Sequence, residues 1–292
     1  MLKRVAIYSK DNNSRTRDGV QNLINECCKR RIAVYLFQKE GGVPVRYEGK
    51  INQGFNNFHD LKEQPDMVLS VGGDGTFLET VLKFKDTGLP IAGVNTGRMG
   101  FLANIPGEEI GRSIDILCRG EYEIIERSLL KISGPAGIFA PESAVALNEI
   151  TIQKSNTSMI TINVYVDDVY LNTYWADGLI ISTATGSTAY NLSVGGPILS
   201  PDDESIIISP ISPHNLTIRP IVLTGNSRLR MIMEARTDDF VVTCDFRYRE
   251  LPITKEILIE KAATKLKTVM LKGSDFYSTL RNRLMWGVDK RN

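Results

Sequence analysis

Met67-Val68-Leu69-Ser70-Val71-Gly72-Gly73-Asp74-Gly75-Thr76-Phe77-Leu78 is the stretch on which the fold turns. Its first five residues carry no charge and read as a buried strand over 67–71. A glycine turn follows, and then a helix over 76–85 with Phe77, Leu78, Val81 and Leu82 facing inward. A second apolar strand over 91–94 closes the unit. Strand, helix, strand in this rhythm implies parallel strands joined by right-handed crossovers. The glycine turn then falls at the carboxyl end of a parallel strand, where open α/β sheets bind their ligands.

The flanks extend the pattern. Upstream lie a strand over 4–8, a helix over 20–30 with Val20, Leu23, Ile24 and Cys27 at helical spacing, and a strand over 33–37. Lys29-Arg30-Arg31 suits the negative end of that helix dipole, which makes it a helix terminus rather than a phosphate site. A helix over 108–118, with Ile110, Ile114 and Leu117 on one face, carries the chain away from the sheet. From about residue 122 to 270 short strands follow one another, among them 160–166, 169–174, 178–182, 229–233 and 240–244. Gly, Pro, Asn and Asp punctuate them, as in an antiparallel sandwich. A last helix over 274–286 opens on a Ser-Asp capping signal and sets Phe276, Leu280 and Leu284 on one face. The expected domains are an α/β domain over 1–104, with 271–292 packing back on it, and an all-β sandwich over 105–270.

Composition excludes several classes. Lys and Arg number 35 against 34 Asp and Glu in 292 residues, so no global charge excess attracts nucleic acid or anionic lipid. The apolar run Val5-Ala6-Ile7-Tyr8 is too short for a signal-peptide core or a membrane span, which points to the cytoplasm. Cys27, Cys28, Cys118 and Cys244 form neither a C-x-x-C pair nor a disulfide framework, and read as thiols in a reducing compartment.

Two clusters carry chemistry. In Gly72-Gly73-Asp74-Gly75-Thr76 the glycines let the backbone approach a ligand, and the helix N-terminus offers unpaired N–H groups to phosphate oxygens. The bland alternative is a tight turn closed by Asp74 on its own backbone. Neither a Walker loop nor G-x-G-x-x-G is present, which sets aside the P-loop fold and the ordinary dehydrogenase. The second cluster is Asp177-Gly178, an apolar strand, then Thr183-Ala184-Thr185-Gly186-Ser187-Thr188-Ala189-Tyr190-Asn191-Leu192-Ser193. Short polar side chains beside one aromatic can line a nucleotide pocket; the alternative is a solvated Thr/Ser loop. His214, after two prolines, reads as a turn-stabilising group, and His59 as a surface residue.

These clusters, with Gly97 to Leu102, Leu147-Asn148-Glu149, Gly195-Gly196-Pro197-Ile198, His214-Asn215-Leu216 through Arg219-Pro220, and Leu280-Arg281 through Trp286-Gly287, resemble the successive motifs of the NAD kinase family in order and spacing. The resemblance spans nearly the whole chain. It implies a Rossmann-like N-terminal domain, a β-sandwich C-terminal domain, a site in the cleft between them, and a homodimer or homotetramer. It implies transfer of the terminal phosphate of ATP to the 2′-hydroxyl of the adenosine ribose of NAD, with Mg²⁺ or another divalent cation accompanying ATP.

By the same resemblance Asp74 stands by the ribose hydroxyl as catalytic residue, with Gly75 beside the dinucleotide. Gly72, Gly73, Gly75 and Thr76 take the ATP phosphates. Asn148 reads the adenine and Glu149 the ribose hydroxyls. Thr185, Thr188, Ala189, Tyr190, Asn191, Leu192 and Ser193 hold the nucleosides, and Asp177 stands at the nicotinamide end of this or a neighbouring subunit's ligand. Three departures stand out: Trp175 at a position tied to discrimination between NAD and NADH, Arg247 in Cys244-Asp245-Phe246-Arg247 where an amide is usual and a phosphate contact is one reading, and Asn104 in place of an aspartate. The rival readings are a lipid kinase of the diacylglycerol or sphingoid type and a non-catalytic NAD(H)-binding regulator.

Overall fold

The computed structural model describes residues 2–10, 13–38, 47–97, 99–234 and 238–285. In chain order its first elements are β1 (Arg4–Tyr8), α1 (Ser14–Lys29), β2 (Ala33–Phe37), β3 (Gln53–Phe55), β4 (Met67–Gly72), α2 (Asp74–Phe84), β5 (Ile91–Asn95), β6 (Ile105–Pro106), α3 (Ile110–Arg119) and β7 (Tyr122–Arg127). There follow β8 (Leu130–Gly134), β9 (Val145–Ala146), β10 (Glu149–Lys154), β11 (Ile160–Val166), β12 (Val169–Ala176), β13 (Gly178–Ser182) and α4 (Tyr190–Ser193). The remaining elements are β14 (Ile206–Ile211), β15 (Ile221–Leu223), β16 (Leu229–Glu234), β17 (Asp239–Cys244), β18 (Arg247–Pro252), β19 (Glu256–Lys261), β20 (Leu266–Leu271) and α5 (Phe276–Leu284). Residues 126–265 form one compact unit, and the residues on either side of them form the other.

In the outer unit the strands run in the order β3-β2-β1-β4-β5-β20-β7, with β6 paired to β5. Strands β1 to β5 are mutually parallel, and β20 joins β5 in parallel through Thr268 opposite Ile91. Every residue of β4 and β5 is buried, as expected of strands covered on both faces. The chain leaves β1 toward β2 and returns on the other side at β4, so the sheet reverses direction between β1 and β4. The glycine turn stands at that crevice.

Helix α1 starts earlier than its apolar spacing indicates, because Asn13 caps it by accepting from the Thr16 N–H. In α2 the inward face is Phe77, Thr80, Val81 and Phe84, while Leu78 and Leu82 are only half-buried. The expected face was rotated: Phe84 takes the position four residues after Thr80, and the Thr80 hydroxyl is satisfied by Ser70 Oγ at 2.7 Å. Asp275 caps α5 by accepting from the Ser278 N–H, and Leu280 is buried as expected while Leu284 is exposed. Trp286-Gly287 lie outside the described residues.

The boundaries differ from those expected at 104/105 and 270/271. Ile110, Ile114 and Leu117 of α3, and Val269 and Leu271 of β20, all bury in the core of the first unit together with α1 and the parallel strands. Helical period shows that α3 has an apolar face; it does not show which core that face enters.

The inner unit holds two six-stranded antiparallel sheets, β15-β14-β13-β10-β17-β18 and β12-β11-β16-β19-β8-β9. Their inner faces share one apolar core that includes Ile150, Ile152, Leu179 and Ile181 from the first sheet and Ile160, Ile162, Met231 and Ile257 from the second. Strands β11, β16 and β17 alternate buried and partly exposed residues, the period of a sheet with one buried face. By contrast, β13 is buried along its whole length. The chain after β13 folds back over it as a 3₁₀ turn (Thr185–Thr188) and α4, and both pack on the strand.

Candidate active site

At the end of β4 the helix opens at once. Gly73 is the N-cap of α2 and its carbonyl accepts the Phe77 N–H at 3.1 Å, so the N–H groups of Asp74, Gly75 and Thr76 have no partner inside the helix. Gly72 has a positive φ of 154°, and a Cβ there would lie 2.7 Å from the Thr76 Cβ, so the turn itself demands this glycine. Gly73 and Gly75 differ, for a Cβ on either would meet nothing within 4 Å. The protein's own packing does not require glycine at these two positions. What their bareness provides is backbone open to approach from outside. Thr76 was assigned to phosphate, but its side chain is buried against Gly72, which leaves its backbone N–H as the group available to a ligand.

The Asp74 carboxylate is held by three consecutive backbone donors. Phe101 N–H donates to Oδ2 at 2.9 Å, and Leu102 and Ala103 N–H donate to Oδ1 at 3.1 and 2.9 Å. The turn that carries them reaches Asp74 only because two neighbours lack side chains. A Cβ on Gly93 of β5 would sit 2.6 Å from the Ala103 Cα, and a Cβ on Gly100 would sit 2.6 Å from Asp74 Oδ2. A carboxylate offers about four acceptor positions. Oδ1 has used its share; Oδ2 keeps one, which makes it the atom able to accept a proton from a bound hydroxyl.

Nearby, Arg15, Asp18, Asn22, Asn95, Thr96 and Gly97 line a cavity of about 510 Å³. Asn104 belongs elsewhere: with Arg112, Ser113 and Lys272 it lines a second cavity of about 250 Å³.

The inner unit brings together a second set of groups. Residues 147–149 are pinned from both sides. Their three N–H groups donate to the Asp245 carboxylate at 2.9, 2.9 and 3.2 Å. The Leu147 carbonyl accepts the Thr183 hydroxyl at 2.6 Å, and the Asn148 carbonyl accepts the Thr183 N–H at 2.9 Å. With the backbone consumed, the half-buried side chains of Asn148 and Glu149 are what this segment presents. Glu149 Oε2 is buried with no hydrogen-bond partner among the described residues. Burial first, and the neighbouring Asp245 second, push its carboxyl up to about 8, against the pull of the Tyr190 N–H. Tyr190, on the covering segment, is 38% exposed.

Four residues singled out in the sequence have partners inside this unit. Asn191 is fully buried: its Nδ2 donates to the Ser187 and Pro197 carbonyls at 3.1 and 3.0 Å and its Oδ1 accepts from Ser209 at 2.6 Å, so it braces the covering segment. The Thr185 hydroxyl accepts from buried Arg127 at 3.1 Å. Asp177 pairs with Lys154 at 2.6 Å at the far end of β13, since Glu149 stands opposite Ser182 and Gln153 opposite Gly178. Five residues of strand, roughly 17 Å, separate it from Asn148. Arg247 donates to the Ser143 and Val145 carbonyls and faces Asp245 at 3.7 Å, so its charge is spent inside the unit and not on a phosphate. Thr188, Ala189, Leu192 and Ser193 do lie on the covering segment beside Tyr190. Gly100 and Asp245 were visible only as parts of motifs; no local signal marks a residue that acts by collecting N–H groups from another segment.

Residues 13–122 match the ATP-NAD kinase N-terminal domain and residues 147–271 the ATP-NAD kinase C-terminal domain. An NAD kinase of Christiangramia forsetii is 38% identical over 99% of this chain and 100% of its own length. The chain belongs to the NAD kinase family. Accordingly it is a kinase that phosphorylates NAD to NADP, and the lipid-kinase and silent-regulator readings are not favoured. An NAD kinase of Cytophaga hutchinsonii is 43% identical over 82% of this chain and 81% of its own length. Among solved structures, an Archaeoglobus fulgidus NAD kinase in complex with ATP superposes with a TM-score of 0.74 at 26% identity, covering 97% of this chain and 98% of that one. A yeast NADH kinase complexed with NADH shares the fold, with a TM-score of 0.84 at 22% identity over 99% of this chain and 89% of that one.

Proposed function

We propose that the two groups of residues divide the work of one phosphoryl transfer. The outer unit is read as Rossmann-like and supplies the phosphate cradle and the base; the inner is read as a β-sandwich and recognises the dinucleotide. The N–H groups of Gly73, Asp74, Gly75 and Thr76 hold the terminal phosphates of ATP. Asp74 Oδ2 orients the 2′-hydroxyl of the adenosine ribose and takes its proton late, as the new bond makes that proton acidic. Asn148 and Glu149 recognise the acceptor, with Tyr190 stacking alongside and Thr188, Ala189, Leu192 and Ser193 shaping the wall.

A divalent cation fits as part of the ATP complex, because small hard cations favour phosphate oxygens and water supplemented by few carboxylates, and Asp74 is the one carboxylate in the glycine turn. Bound there it would neutralise charge on the transferred group. Assembly into a homodimer or homotetramer is supported by β12, an edge strand with Val169, Tyr170 and Trp175 exposed. No helix among the described residues is long and apolar enough to cross a membrane. The four cysteines are free thiols, as suits a reducing compartment, and the cytoplasm is the proposed location.

The observation that carries this reading is the Asp74 carboxylate, fixed by three N–H groups with one acceptor position left, in a turn whose bare glycines the fold does not require. It is tested by following product formation with NAD or NADH as acceptor and ATP or polyphosphate as donor, in the parent and in Asp74→Asn. Equal turnover in the two proteins would remove Asp74 from the reaction. We expect NAD to be preferred, with measurable activity on NADH.

A further inference from the structure

We propose that Glu149 engages the dinucleotide as a neutral carboxylic acid, donating a hydrogen bond from Oε2, while Asp245 behind it keeps the negative charge. The inference rests on the assignment of Asn148 and Glu149 to the acceptor.

Two carboxylates stand close together in a buried place, and their surroundings are unequal. Asp245 collects the N–H groups of Leu147, Asn148 and Glu149 and faces the Arg247 guanidinium at 3.7 Å. Glu149 has the Tyr190 N–H alone, and its Oε2 is buried with no partner among the described residues. Burial raises Asp245 as well, but three N–H donors and the charge of Arg247 oppose that rise, whereas one N–H donor opposes it for Glu149. When like charges share a low-dielectric site one of them is given up. The group with fewer donors gives it up.

Around Glu149, the charged groups are Asp245 on the turn between β17 and β18 and Arg247 at the start of β18. The covering segment contributes a backbone N–H from Tyr190 and, at Thr185, a hydroxyl already bonded to Arg127. Opposite on β13 stands uncharged Ser182. Among the described residues no cation acts on Glu149 to hold it ionised.

A chemical preference follows. An ionised Glu149 would seek ligand hydroxyl protons and repel a pyrophosphate. A neutral one presents a proton to a ribose, carbonyl or phosphate oxygen and tolerates the negative charge of the dinucleotide. Binding should then be strongest while Glu149 is protonated and should weaken as pH rises past its titration.

The test is calorimetric titration of the full chain with NAD from pH 6 to 9.5, in two buffers of different ionisation heat. The parent is expected to keep a constant Kd to about pH 8 and to lose about tenfold per pH unit above it, with proton uptake on binding. Glu149→Gln should abolish that slope, and Asp245→Asn should move the break to lower pH. Affinity that stays flat or rises with pH in the parent, or a slope that persists in Glu149→Gln, overturns the inference. Should a variant not fold, proton uptake by the parent decides alone. Asn148→Ala separates the two levels: binding unaffected by it defeats the site assignment, and binding weakened by it with a flat parental profile defeats the inference only.

Discussion

Gly100→Ala exposes the logic of the Asp74 arrangement. The new methyl would lie 2.6 Å from Oδ2 and closer still to Oδ1, against ordinary contact at 3.4 Å or more. No positive φ forbids alanine at this position, so the carboxylate yields and, with Oδ1 the nearer atom, retreats by more than about 1 Å, leaving some of its three N–H donors. A misplacement of about 1 Å in a reacting group costs roughly 10²-fold in rate. That corresponds to about 2.7 kcal/mol of activation free energy. The loss should appear in kcat, with KM for both substrates little changed. Gly73→Ala is the matched comparison, because its Cβ meets nothing within 4 Å and its φ of −101° suits alanine. There the fold should hold and KM for ATP should rise, since the methyl covers backbone that phosphate approaches. Steady-state kinetics on both variants, with thermal melts to confirm folding, measures the contrast. Gly100→Ala within about threefold of parental kcat would refute the claim that Asp74 must be held where it is; by that factor the rate effect of misplacement would be nearly absent.

Asp74→Asn is expected to lower kcat strongly and to lower Tm as well, because one end of the amide turns donors toward the N–H groups of residues 101–103; an unchanged melting curve would show that the turn does not depend on the carboxylate. Asn148→Ala should weaken NAD by on the order of 1 to 3 kcal/mol, read by calorimetry, with a much smaller effect on ATP. Glu149 has a folded-state pKa of about 8 against an ordinary 4.5, so its contribution to stability is full below 4.5 and is lost as pH rises through 8. Glu149→Gln should therefore raise Tm relative to the parent more at pH 9 than at pH 5, and the opposite order in scanning fluorimetry would contradict the assignment. Burial pushes the Cys27 and Cys244 thiols up to about 12, whereas Cys28 and Cys118 are partly exposed, so a thiol reagent should modify two cysteines quickly and two only on unfolding.

What could be read from residues alone follows from the range of the signals. The parallel unit was legible because 67–71, the glycines and the α2 apolar spacing lie within twenty residues of one another, and the nucleotide-binding character of 183–193 because its composition is unlike a core strand. Asn191 shows the limit. In sequence it is one more short polar residue in that run, and only the fold turns it inward to brace Ser187, Pro197 and Ser209. Asp177 illustrates another: its partner Lys154 stands well before it in the chain, and only the antiparallel pairing of β10 with β13 brings the two together. The Asp245 role depends on a contact across nearly a hundred residues, and the membership of α3 in the first core on which surface its apolar face meets. Neither leaves a periodic trace.

The place of β20 constrains the order in which the chain can be built. It lies between β5 and β7, and its Thr268 hydroxyl donates to the Ile125 carbonyl of β7 at 3.2 Å. During synthesis β7 emerges well before β20, so the rim of the first sheet must wait while residues 126–265 are translated. That intervening unit is continuous in sequence and owes none of its strands to later residues. Folding from the ribosome should therefore run against the usual amino-terminal-first order: the internal sheets consolidate first, and the sheet that began the chain is closed last, when Leu266–Leu271 slides between two strands that have been waiting for it.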